Sequence, residues 1–90
     1  MAKKIAVLVR ERQAEALRVA VGLTLSDDRV EVYVLDRKIA DTPQNATNIE
    51  VLTEMELPVA TNCADNAGLE VLANAELARR IAACDVILPY

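Results

Sequence analysis

The sequence predicts an α/β domain, a mostly parallel sheet of five strands covered by helices, and three observations carry that expectation. Short, apolar, β-rich runs alternate along the chain with segments whose apolar residues recur every three or four positions, as βαβ units require. Apolar residues are 53% of the chain but aromatic ones only 2%, so the interior must be built from Ala, Val, Leu and Ile, which suits strands buried on both faces and closely packed helices. At 90 residues the chain has the length of one domain, 1–90, with no linker-like stretch. A domain of this size buries only about 60 to 65% of its unfolded surface, so self-association is expected.

The first element is Ile5-Ala6-Val7-Leu8-Val9, apolar at successive positions, as in a central strand covered on both sides. From 11 to 25 the period changes. Glu11, Glu15, Arg18 and Gly22 mark one helical face, and Ala14, Leu17, Val21 and Leu25 the opposite, core-facing one. Ser26-Asp27-Asp28 stops this helix, and Val30 to Leu35 forms a second strand with Val30, Val32 and Val34 on one side. Two strands joined by a helix imply a parallel pair.

A polar stretch with Asp41, Pro43, Gln44 and Asn45 leads to Thr47-Asn48-Ile49-Glu50. Thr47 and Glu50 have the spacing at which a hydroxyl and a carboxylate each satisfy an orphaned backbone N–H, which predicts a helix start at Thr47. Ile49, Leu52 and Met55 form its apolar stripe. Pro58 cannot continue the helix, and Val59-Ala60-Thr61 is a short third strand with Cys63 just beyond its C-terminal end. After the turn signal Asn66-Ala67-Gly68, the run Leu69 to Leu72 is read as a strand, although its pattern also admits a helix. Asn74 is expected to cap a third helix whose Leu77, Ile81 and Cys84 share a face, and Asp85 to Leu88 closes the order as a fifth strand.

Composition excludes several functions. The formal charge is −4, and the Lys and Arg residues are scattered without a basic stripe, so nucleic acid is not an expected ligand. No apolar run approaches the ~20 residues that span a bilayer. The N-terminal Met-Ala-Lys-Lys enters the first strand with no cleavage-site pattern. No membrane association is therefore expected, and the reading is cytoplasmic. Histidine is absent, which removes Cys-His and Ser-His-Asp catalysis and the commonest transition-metal ligand. The two glycines, Gly22 and Gly68, provide neither phosphate-binding loop nor dinucleotide fingerprint. A phosphoacceptor receiver needs acidic residues at the end of the first strand, where this chain has Val9-Arg10. No cofactor and no metal are expected.

Asn48-Ile49-Glu50-Val51-Leu52 leads into Leu57-Pro58-Val59-Ala60-Thr61-Asn62-Cys63, a helix opening followed by a strand ending at a cysteine. In this motif the chain resembles the DsrE/DsrF-like family of sulfur-relay proteins. Gly68-Leu69-Glu70-Val71 and Ala75-Glu76-Leu77-Ala78 are similar to that family's next strand and helix start, and Ala16 to Ala20 with Val30 to Tyr33 extend the likeness over nearly the whole chain. The resemblance implies a three-layer α/β/α fold, oligomeric assembly with identical or related subunits, and a cysteine that takes sulfane sulfur from a donor protein and passes it to an acceptor as a persulfide. Cys63 stands at the matching position. The chain departs from the family after its first strand, where Arg10-Glu11-Arg12-Gln13 replaces a longer loop, and in the short stretch from Cys63 to Gly68.

Apart from any family, ligands of open parallel sheets gather at the C-terminal ends of the strands. Arg10, Asp36, Arg37, Asn62, Cys63 and Pro89 should border that edge. Cys63 is its only nucleophile, and Arg10, Asn62 and Arg37 are the candidate substrate-binding residues, the arginines as steering groups for an anion. The competing reading of Cys63 is a small packed side chain, because free cysteine is among the most buried residue types. Cys84 precedes a buried strand on a core-facing helix side and reads as packing. The two cysteines lack metal or redox spacing and read as free thiols. If Cys63 is inert, the alternative is a non-catalytic assembly or binding subunit.

Overall fold

The computed structural model describes residues 3–26, 28–66 and 68–90; Asp27 and Ala67, parts of two expected turn signals, and Met1 and Ala2 lie outside them. The elements are β1 (Lys4–Val9), α1 (Gln13–Leu23), β2 (Arg29–Val34), α2 (Pro43–Glu54), β3 (Val59–Thr61), β4 (Glu70–Val71), α3 (Asn74–Ala82) and β5 (Val86–Pro89). This is the expected order. The strands form one sheet in the order β4-β3-β2-β1-β5, with every neighbouring pair parallel. β1 is internal, between β2 and β5, while β2 is the middle strand.

Strand alternation builds the three layers. Ile5, Val7 and Val9 of β1 and Val30, Val32 and Val34 of β2 turn to one face, where they meet Ala16, Leu17 and Ala20 of α1, Leu52 of α2 and Val59. Ala6, Tyr33 and Ala60 turn to the other and meet Leu77 of α3. The steps β1 to β2 and β2 to β3 run one way across the sheet, and α3 carries the chain back from β4 to β5. Crossovers of a single, right-handed sense must lie on opposite faces when their direction reverses, which is why α3 stands alone on the second face. Arg80 of α3 pairs with Glu70 of β4 at 3.1 Å and with Glu76 of its own helix.

The structure corrects several local expectations: Met55 of the expected α2 stripe follows the helix and is 47% exposed, and Cys84 lies beyond the end of α3. α2 starts at Pro43 rather than Thr47: Thr42 is the cap, accepting from the Asn45 amide at 3.1 Å, and Pro43 occupies the first turn, where its missing N–H costs nothing. Thr47 and Glu50 are therefore interior helical residues on the exposed side. The buried stripe of α1 is Ala16, Leu17 and Ala20, whereas Ala14 is exposed and Leu25, beyond the last turn, is 92% exposed. Ala73, not Asn74, is the residue before α3; Asn74 is its first helical residue, and its side chain is engaged elsewhere.

Candidate functional site

An all-parallel sheet gathers its strand ends on one edge. The registers align Val9 with Val34, Val34 with Thr61, Thr61 with Val71 and Leu8 with Pro89, so the segments beginning at Arg10, Leu35, Asn62, Leu72 and Tyr90 all leave from this edge. From β2 the chain departs to the α1/α2 face, and from β4 to the α3 face. β3 lies between these diverging exits, the position at which open α/β sheets form their ligand crevice. Asn62 and Cys63 stand at its end.

Two asparagines hold this edge together. The Asp36 amide donates to Asn62 Oδ1 at 2.7 Å, and Asn62 Nδ2 donates to Asp36 Oδ1 at 3.0 Å and to Asn74 Oδ1 at 2.8 Å. Both amide hydrogens of Asn62 are thus committed within the protein, tying the exits of β2 and β3 to the start of α3. Asp36 has a left-handed backbone, φ 68, which Asp tolerates better than most side chains and which the double contact with Asn62 fixes. Asn66 is 4% exposed. Its Nδ2 donates to the Arg37 carbonyl at 3.1 Å and to Thr61 Oγ1 at 3.0 Å, and its Oδ1 accepts from the Ile39 amide at 2.7 Å.

The same clamp fixes Cys63. Its amide donates to Thr61 Oγ1 at 3.0 Å and its carbonyl accepts from the Asn66 amide at 3.1 Å, so Cys63 opens a turn that closes at Asn66, and Gly68 has φ 85. Cys63 is half-buried and free, and its Sγ has no hydrogen bond among the described residues. Cys84 is also half-buried and free, but its environment differs: Sγ donates to Glu31 Oε1 at 3.6 Å and to the Arg80 carbonyl at 3.5 Å. Burial, reinforced by the Glu31 carboxylate, pushes this thiol up to about 11. Fully buried Tyr33 donates its hydroxyl to the same carboxylate, and its ionisation is likewise driven up, first by burial and then by Glu31.

Arg10, Asp36 and Arg37 come together with Glu11 and Tyr90 around a polar cavity of about 340 Å³. Cys63, Asn62 and Pro89 are not part of its lining; Asp36, bound to Asn62, connects the cavity to the cysteine loop. A second cavity of about 350 Å³, on the α2 side of this edge, is bounded by Asp65 and Asn66 of the cysteine loop and by Ile39, Asp41 and Ile49. Glu11, Tyr90 and the clamp residue Asn66 escaped sequence reasoning. Asn66 carried only a turn signal, and two of its three side-chain partners, Ile39 and Arg37, lie 27 and 29 positions away.

Among the described residues no group of three or more His, Cys, Asp or Glu is arranged to hold a metal ion, and no helix is long and apolar enough to cross a membrane. No protein-family model, curated protein or solved structure matches this chain.

Proposed function

We propose that the chain is a small sulfur-relay protein that carries sulfane sulfur as a persulfide on Cys63, in keeping with its DsrE/DsrF-like resemblance. The observation that carries this reading is the contrast between its two thiols. Cys63 sits at the diverging exits of a parallel sheet, on a loop clamped by Asn66 and Thr61, with no carboxylate bonded to its sulfur among the described residues. Cys84 is bonded to a carboxylate and held protonated, and thiolate is the nucleophilic form.

In the transfer, the Cys63 thiolate attacks the outer sulfur of a donor persulfide. A bond forms between Sγ and that sulfur, the donor S–S bond breaks, and the donor leaves as a thiolate. An acceptor thiolate then attacks the outer sulfur now on Cys63, and Sγ leaves as a thiolate. The sulfane sulfur keeps its oxidation state throughout, so no external oxidant or reductant is needed. Asn62 and Asn66 act as positioning residues, and Arg10 and Arg37 supply positive charge beside the site for an anionic donor.

Incubation with a cysteine desulfurase and cysteine, followed by intact-mass spectrometry, tests this function. One-sulfur mass increments are expected on wild type and Cys84→Ala and not on Cys63→Ala. An unloaded wild type, or equal loading without Cys63, overturns it.

A second reading has its own support. The edge strands β4 and β5 expose Val71 at 51% and Ile87 at 46%, and open strand edges bearing apolar side chains are ready pairing surfaces. In this reading the chain is an assembly subunit, homo-oligomeric or built with related chains. Light scattering on wild type and Ile87→Lys distinguishes it: an oligomer weakened by the lysine supports assembly through β5, and a wild-type monomer at micromolar concentration counts against it.

A further inference from the structure

We propose that the cavity bounded by Arg10, Glu11, Asp36, Arg37 and Tyr90 is a binding site for a small zwitterion of the α-amino-acid type. As a step in sulfur relay the inference rests on the function proposed above, and the ligand class it names is an amino-acid-type thiol or its persulfide. The lining combines two guanidinium groups with two carboxylates, yet neither Arg10 nor Arg37 appears in any ion pair among the described residues, and neither does Glu11 or Asp36. Elsewhere opposite charges do pair, as exposed Arg12 with exposed Glu15 and, with one half-buried partner each, Arg79 with Glu76 and Arg80 with Glu70. Charges of both signs that line one cavity without pairing to each other match a ligand that carries both. Its carboxylate would meet the arginines, whose planar donors suit that group, and its ammonium the acidic side.

Two further observations make the site a fixed one. Asp36 is held in its left-handed conformation by Asn62, which engages one carboxylate oxygen and leaves Oδ2 without a hydrogen-bond partner among the described residues; unusual backbone of this kind gathers at ligand clamps. Tyr90 is pinned by its amide to the Leu8 carbonyl at 3.0 Å and by its carbonyl to the Arg12 amide at 3.2 Å, with the Arg12 guanidinium 5.4 Å from its ring centroid. The volume, about 340 Å³, lies at the lower end of the ~300 to 1,000 Å³ that small-molecule sites occupy. It suits an amino acid better than a nucleotide.

The test is a heteronuclear NMR titration of the full chain with S-methyl-L-cysteine, which cannot exchange sulfur. Methylthiopropanoate, lacking the ammonium, and methylthioethylamine, lacking the carboxylate, serve as the single-charge probes. Saturable shifts are expected at the amides of Arg10, Glu11, Asp36 and Arg37, with both single-charge probes at least about tenfold weaker. Arg37→Gln and Glu11→Gln, each checked for a dispersed native spectrum, should each weaken the zwitterion by a similar factor. No saturable shift up to millimolar ligand, shifts confined to another region, or methylthiopropanoate binding as tightly as the zwitterion would overturn the proposal. The titration involves no sulfur transfer. Failure of Cys63 to load therefore leaves the site standing, and loss of binding with loading intact removes the zwitterion site alone.

Discussion

Removing the Asn66 side chain should cost more stability than any other polar truncation at the strand-exit edge. The side chain is 4% exposed and makes three hydrogen bonds, to the Arg37 carbonyl, the Ile39 amide and Thr61 Oγ1. Each is worth about 0.5 to 1.5 kcal/mol net, and buried groups left without a partner add to the loss. Asn66→Ala should therefore destabilise the chain by about 2 to 4 kcal/mol. For 90 residues the whole stability is of the order of 5 to 13 kcal/mol, so a large fraction is at stake. Urea unfolding followed by circular dichroism should show a lower midpoint at unchanged slope, and thermal unfolding a Tm lower by roughly 10 to 25 °C. Asn66→Asp keeps the acceptor toward Ile39 but turns a carboxylate toward the Arg37 carbonyl, and should be destabilised comparably. A loss below about 0.5 kcal/mol for Asn66→Ala, the range of an ordinary surface change, would refute the clamp.

Three other outcomes are expected. Thr42→Ala should cost about 1 kcal/mol by removing the α2 cap, and Thr47→Ala, inside that helix, less than about 0.5 kcal/mol; the reverse order in urea unfolding would restore a helix start at Thr47. Alkaline pH should destabilise the fold through Cys84: its folded value, about 11, lies above the ordinary 9.0, so between these the unfolded chain binds fewer protons and stability falls as pH rises from about 9 to about 11. Unfolding free energies across that range should show the decline and a shallower one in Cys84→Ala, while identical slopes would count against a Cys84 thiol raised by burial and by Glu31. Asn62→Ala should release Asp36 and the start of α3 together, lowering hydrogen-exchange protection at the Asp36 amide and weakening sulfur loading of Cys63. Unchanged protection at Asp36 would remove Asn62 as a positioning residue.

Strands were legible because their signals are local. Ile5 to Val9 and Val30 to Leu35 declare themselves by apolar content and period, and even the two-residue β4 was bounded by its turn signal and the helix after it. The start of α2 is hard to read because Thr47-Glu50 imitates a cap, while the true start, Thr42-Pro43, lies inside a polar stretch. The period of residues 11 to 25 does not distinguish the row through Ala14 and Leu25 from the buried one through Ala16, Leu17 and Ala20, because burial is set by the approach of α2 and by the end of the helix at Leu23. At the strand exits, the positions of Arg10, Arg37, Asn62 and Cys63 followed from strand ends alone. The Asn62 and Asn66 clamps did not, since each joins loops more than 25 positions apart and depends on the parallel register that brings those loops together.

The contrast between the two thiols is tested most directly by alkylating the native protein near pH 8 with iodoacetamide and following each cysteine by peptide mass spectrometry. Cys63 should react at least about tenfold faster than Cys84, whose thiol is held protonated beside Glu31. Equal rates, or faster modification of Cys84, would contradict the assignment of Cys63 as the presented nucleophile.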